Sequence, residues 1–361
     1  RSGSGKGVGR MGQDRPIGRR QFLRGAAALG LRAAFPFQGG EGEAYFRLYL
    51  PTVLRSYGSA AHGPSKLGLH TQLPNNARTF VQAVREAGTR VALVKAVDEF
   101  GYLRRLKGIS PETTTVGRST VEQAANVSRD PADEAARVMA LHMPRWRYEA
   151  DVVDYWEVLN ENKPPTIAGH VWLAHFFIAA MQIAEANGHK LALFSYSTGV
   201  PQWHEWEAIV ETGVFARARA GGHALALHEY DWPVIRRRWG AATEDLPPHD
   251  DRGVMAGRYR YLYRDFLIPR GEVIPLLITE CGLDPMVGGP SLPQPWQERY
   301  VQEMIWYDTL LREDDYVVGA AMFTIGAYEQ WKSYDYEELL WPGHDYGPDN
   351  FFDYIVSLKN G

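Results

Sequence analysis

The chain has 361 residues, 45% hydrophobic and 23% charged, a composition near the globular average that excludes a disordered, collagenous or coiled-coil chain. Thirty-nine Lys and Arg against 43 Asp and Glu leave a formal net charge of −4, so no overall basic field exists for nucleic acid or an anionic membrane. Cys281 stands alone, which excludes an internal disulfide framework and any multi-cysteine zinc or iron–sulfur site, and no run of 18 apolar residues marks a spanning helix. The 11 Trp, 19 Tyr and 14 Phe are a generous supply of flat rings of the kind that meet sugars.

Charge is unevenly spread along the chain. Residues 1–40 carry eight basic side chains against Asp14 alone, a net +7, which leaves −11 for the remainder. Within that head, Gly18-Arg19-Arg20-Gln21-Phe22-Leu23-Arg24 resembles a twin-arginine export signal, and Gly25 to Leu31 supply a short Ala-rich apolar stretch that Arg32 interrupts. The plainer alternative is a basic disordered tail. We expect residues 1–42 to form this export-signal-like or disordered extension, ending in the linker Gly39-Gly40-Glu41-Gly42, and the protein to be exported. Residues 43–361 are then expected to be a single catalytic domain. Gly3-Ser4-Gly5-Lys6-Gly7 is no phosphate loop, because the spacing, the Ser or Thr after Lys and a preceding strand are all missing.

From residue 66 onward, short apolar or β-branched runs alternate with longer segments of helical period, the pattern of repeated βα units around a parallel sheet. The predicted strands are Leu67–Thr71, Val91–Val97, Thr113–Gly117, Tyr155–Leu159, Leu191–Tyr196, Ala224–Glu229, Pro275–Thr279 and Val317–Thr324. The clearest helices are Ala77–Ala87, with Phe80 and Val84 on one stripe and a stop at Gly88; His170–Asn187, strongly apolar and stopped at Gly188; and Pro295–Arg312. Eight such units predict an α/β fold, a (β/α)8 TIM barrel, rather than a doubly wound sheet, whose Gly-rich first turn is missing.

In such a barrel the active site lies at the carboxyl ends of the strands. Two loops there are unusually long: 231–251, which holds Trp232, and 326–350, which holds Tyr328, Trp331, Tyr334, Tyr336, Trp341 and Tyr346 among several carboxylates. These rings either stack on sugars or pack the loops onto the barrel. Strand four runs into Leu159-Asn160-Glu161, and strand seven into Ile278-Thr279-Glu280. A carboxylate beside a buried apolar strand is costly unless it is paired or functional, and two at one rim are the apparatus for cleaving a glycosidic bond.

With these motifs in this order, the barrel resembles the clan A retaining glycoside hydrolases, which include many cellulases, mannanases, xylosidases and β-glucanases. The resemblance implies that Glu161 is the acid/base, Glu280 the nucleophile and Asn160 a donor to the sugar 2-hydroxyl. In His228-Glu229-Tyr230 it matches the clan's His-x-Tyr pair, whose Tyr, here Tyr230, orients the nucleophile and whose His, here His228, joins the substrate site. Departures are visible: Asn162 follows Glu161 where the clan has Pro, and strand eight ends Ala321-Met322-Phe323-Thr324 without its Trp, so Phe323 or a folded-back Trp331 takes that place. Lys95 and Arg118 are the nearest matches to basic residues that relatives carry on early strands. Lys95 either binds sugar or is a buried stem paired to Asp98 or Glu157.

The implied mechanism is double displacement, with carboxyl groups roughly 5 to 5.5 Å apart rather than the 6.5 to 9.5 Å of inverting enzymes. No cofactor and no metal is expected: strand one lacks His-x-His, His70 stands alone, and His170 and His175 are spaced wrongly for one ligand face. Cys281 is read as a packing residue pointing away from Glu280. The expected partner is an oligo- or polysaccharide, with no nucleic acid or membrane, bound by a monomer. The alternatives are a non-catalytic carbohydrate-binding barrel and a transglycosylase with the same pair; a metal hydrolase is disfavoured by the histidine spacing.

Overall fold

The computed structural model describes residues 63–244, 246–287 and 295–359. The export-signal motif and the expected boundary at residue 42 lie outside the described residues. In chain order the elements are β1 (Leu67–Thr71), α1 (Ala77–Glu86), β2 (Leu93–Val97), α2 (Leu103–Ile109), β3 (Thr114–Arg118), α3 (Pro131–Trp146), β4 (Tyr155–Glu157) and α4 (Ile167–Ala186). There follow β5 (Leu191–Tyr196), α5 (Trp203–Glu211), α6 (Val214–Gly221), β6 (Ala224–Asp231) and α7 (Tyr259–Leu262), which continues through a π-turn (Tyr263–Leu267) into α8 (Ile268–Arg270). The chain then forms β7 (Leu276–Leu283), α9 (Gln297–Arg312), β8 (Val317–Ile325), two 3-10 turns (Glu329–Tyr334 and Glu337–Leu340) and α10 (Phe351–Ser357).

The strands pair in parallel in sequence order, and β8 closes on β1, giving the expected (β/α)8 barrel. Local chemistry starts and stops the helices: Asp130 accepts from the amides of Ala132 and Asp133 at the head of α3, and Thr166 accepts from Gly169 at the head of α4. Outside the barrel, Trp156 of β4 stacks on Trp146 of α3 with ring centroids 4.8 Å apart. Gly117 permits this, because a Cβ there would collide with the Trp156 ring. By length and composition α4 is the one described helix apolar enough to cross a membrane, yet His170, Leu173, Phe176, Phe177 and Met181 are buried against the barrel.

Several strand boundaries differ from those predicted, and those of β4, β6 and β7 matter for the site. Strand β4 ends at Glu157, two residues early, whereas β6 and β7 run on together through His228↔Glu280 to Asp231↔Leu283. Glu280 therefore sits within β7 rather than beyond it.

Side chains alternate across a strand, so each inward residue predicts the next two positions on. Leu93, Ala226 and half-buried Tyr155 belong to one small inner cluster with Val116, Ala192, Ala224, Leu277 and Ala321. Two residues on come Lys95, His228 and Glu157, so the layer above this apolar floor is polar.

On the outer side of β6, Glu229 clamps the long loop after that strand: it accepts from the amides of Gly257 and Tyr259 and from the Tyr307 hydroxyl of α9. Burial pushes its carboxyl up to about 7, against the pull of those three donors. A carboxyl raised in the folded state contributes stability that is complete below its unfolded value and lost as pH rises through about 7. We expect the melting midpoint to fall over that interval and the fall to flatten in Glu229→Gln; a parallel pH profile in both proteins would refute it.

Candidate active site

The two catalytic candidates reach the same place by different local devices. Glu161 follows β4 with φ of +50°, a left-handed conformation that costs a non-glycine residue about 1 to 3 kcal/mol and is tolerated where surroundings enforce it. Here its amide donates to the Ser195 carbonyl over 2.9 Å. Glu280 is aimed by a bulge: strict alternation from inward Leu277 would turn Thr279 inward and Glu280 outward, but the β7–β8 register slips between Ile278 and Cys281. Cys281 then points away from the site, its thiol against the Ala321 carbonyl.

A second bulge supports Glu157 and Glu161. In β5, Phe194 and Ser195 are both left-handed, at φ of +72° and +48°, and the register slips beside them. Phe194 turns outward onto Phe177, Trp206 and Phe215. Ser195 turns inward, where its hydroxyl donates to Glu157 over 2.8 Å while its carbonyl holds Glu161.

Glu280 is surrounded by donors. Its Oε1 takes Arg118 Nη1 at 3.1 Å and Lys95 Nζ at 3.3 Å, and His70 Nε2 stands 3.8 Å away. Its Oε2 accepts the Tyr230 hydroxyl at 2.9 Å and faces His228 Nδ1 at 3.6 Å. His228 Nδ1 is also 3.0 Å from Glu161 Oε1, so one imidazole nitrogen serves both acids. Oxygens of Glu161 and Glu280 lie within 4.8 Å of one another.

Burial alone would raise the Glu280 carboxyl, but His228, Lys95 and Arg118 outweigh it and hold the group well below the ordinary carboxylate value. Glu157 behaves alike: burial opposes ionisation, and the charges of Lys95, Arg118 and nearby His228 overcome it. His228 is the mirror case, lowered by burial but raised overall by Glu280, Glu157 and Glu161. Burial keeps His70 well below its usual value and therefore neutral. The site thus holds an anionic Glu280 beside His228, whose proton is held more tightly than that of a free imidazole.

The other expected residues fall in three places. Phe323 ends beside His70, with ring centroids 4.7 Å apart, and Trp331 folds back edge-on against Phe323 at 5.5 Å, with Tyr334 at 5.6 Å completing an aromatic wall. Asn160 is half-buried beside Glu161, and its Oδ1 accepts no hydrogen bond among the described residues. Lys95 and Trp232 are buried: Lys95 is fully enclosed and bound to Glu157 and Glu280, and Trp232, 4% exposed, is part of the apolar core. Asp98, the other partner considered for Lys95, instead accepts from Thr120.

Three contributors were not singled out as site residues from sequence: Glu157, Ser195 and His70. Glu157 and His70 carried a usable signal, since each is a polar group inside a buried strand. Ser195 carried none, because its direction depends on the bulge.

Among the described residues, Glu161, His228 and Glu280 also lie close enough to ligate a metal ion. The surroundings do not suit one: Lys95, Arg118 and a readily protonated His228 already supply positive charge to the carboxylates. Tyr230→Phe removes the donor on Glu280 Oε2. We expect it to lower kcat/KM about ten- to a hundredfold, the worth of a hydrogen bond to a charged group, with the melting midpoint little changed. Parent-like kinetics would refute the role.

No family profile and no curated protein matches the sequence. Solved structures do match. A family 39 glycoside hydrolase from the gut symbiont Bacteroides cellulosilyticus is similar over 82% of this chain and 63% of that one, at a TM-score of 0.50 and 12% identity. An endo-β-1,3-glucanase from Pseudomonas viridiflava is similar over 81% and 97% of the two chains, at 0.39 and 16%, and a β-mannanase from Thermomonospora fusca over 79% and 85%, at 0.43 and 15%. At these identities the likeness is one of fold, the (β/α)8 barrel.

Proposed function

We propose that the protein is a retaining glycoside hydrolase acting on a β-linked oligo- or polysaccharide. The observation that carries this reading is the approach of Glu161, in the loop after β4, and Glu280, within β7, whose oxygens lie within 4.8 Å of one another. Inverting enzymes need roughly 6.5 to 9.5 Å between the carboxyls to seat a water, and retaining enzymes about 5 to 5.5 Å.

In the first displacement a Glu280 oxygen bonds to the anomeric carbon as the glycosidic bond breaks, and the Glu161 proton goes to the leaving oxygen. Glu280 becomes a neutral ester and Glu161 a carboxylate. In the second, water attacks the anomeric carbon, its proton goes to Glu161, and Glu280 leaves as a carboxylate. One negative charge shuttles between the acids, and His228 Nδ1, facing both, stabilises it in either position. Tyr230 orients Glu280, and the Phe323, Trp331 and Tyr334 wall offers rings to the sugar. The basic head, on this reading, directs export.

The test is reducing-sugar release from β-glucans, mannans, xylans and galactans, with product anomers followed by NMR. Release with retained configuration supports the proposal. Inverted products overturn the mechanism, and binding without release makes the protein a carbohydrate-binding barrel.

A further inference from the structure

We infer that Lys95 and Glu157 form a positioning pair beneath the catalytic acids, in which Glu157 is the permanent counter-ion of an ammonium that Glu280 shares only while ionised. The inference rests on the catalytic reading above and adds a third carboxylate to it.

Lys95 Nζ lies 2.6 Å from Glu157 Oε2 and 3.3 Å from Glu280 Oε1, and both members of the pair are fully buried. Neither is open to a sugar. An ammonium without water is tolerated only while it has an anionic partner. If Glu280 were that partner alone, each turnover would strand the charge, because the ester is neutral. Glu157, fixed by the Ser195 hydroxyl at 2.8 Å, prevents this. It also limits how strongly Lys95 stabilises ionised Glu280, and an overstabilised carboxylate is a poorer nucleophile.

The groups around each acid are few. Glu280 is faced by His70 from β1, Lys95 from β2, Arg118 from β3, Glu161 after β4, and His228 and Tyr230 from β6. Glu157 is faced by Lys95, by Ser195 from β5 and by His228, whose Nε2 is 3.9 Å away, with Arg118 acting at longer range. Removing either half of the pair therefore changes the charge on Glu280 in opposite senses.

The experiment compares the parent with Lys95→Met, Glu157→Gln, Lys95→Arg and the double variant Lys95→Met/Glu157→Met. Two quantities are read: the acid limb of kcat/KM on the β-glycan the parent cleaves, and the Glu280 carboxyl midpoint by carbon-13 NMR, assigned by its loss in Glu280→Gln. Lys95→Met is expected to raise both by about one pH unit, as loss of a nearby opposite charge does. Glu157→Gln is expected to lower them, Lys95→Arg to leave the limb in place, and the double variant, which buries neither charge, to raise them by less than Lys95→Met. An unmoved limb and midpoint in Lys95→Met, or shifts of one sign in both single variants, overturn the proposal. Should the single variants fail to fold, the double variant decides: unmoved values there overturn it. A parent that cleaves no glycan overturns the catalytic reading instead, and the carboxyl midpoints still judge the pair.

Discussion

Glu280→Gln is expected to abolish turnover, lowering kcat by roughly 10⁴-fold or more, as loss of a covalent nucleophile does elsewhere. The amide cannot displace the leaving group, and the anion that Lys95, Arg118 and Tyr230 converge on disappears. Glycan binding should survive, because the aromatic wall of Phe323, Trp331 and Tyr334 is untouched. Initial rates together with mass spectrometry check this: the parent quenched during turnover carries a glycosyl adduct, and the variant carries none. Activity within tenfold of the parent would remove Glu280 from the mechanism.

The second large effect falls on Glu161 and depends on the leaving group. Glu161→Ala should lower kcat on a natural glycan by roughly 10² to 10⁴, the worth of general acid–base catalysis. An aryl glycoside with an acidic leaving group needs no proton to depart, so its first displacement should remain fast. Glu161 is also the base of the second step, and the glycosyl-enzyme should therefore accumulate, giving a burst of released phenol followed by slow turnover. The variant also leaves His228 facing Glu280 without Glu161 on the same nitrogen. An equal loss on both substrates, with no burst, would show that Glu161 is not the proton donor.

Much of the site was legible because chemistry at a strand end is conspicuous. Glu161 and Glu280 stand out beside apolar strands, and Tyr230 is one residue-pair beyond His228 on the same inward face of β6. Lys95 was legible as an oddity and ambiguous in role: a lysine in an apolar run is either a sugar ligand or a buried stem, and only its neighbours choose. Those neighbours, Glu157 and Glu280, come from β4 and β7, across the barrel from β2. The burial of Trp232 was illegible for a related reason, since a Trp after a strand looks the same in sequence whether its ring lines a cleft or fills the core.

The barrel was legible in the sequence because parallel strands buried on both faces must read as continuous apolar runs, and Glu161 and Glu280 were conspicuous against those runs. The tertiary structure decided what those acids face. Bulges in β5 and β7 turned Ser195 and Glu280 inward against the simple two-residue alternation, and closure of β8 on β1 brought His70 and Phe323 to the site. A bulge depends on the register of the neighbouring strand, and a buried charge on partners from other strands; neither is encoded in the spacing of any one segment.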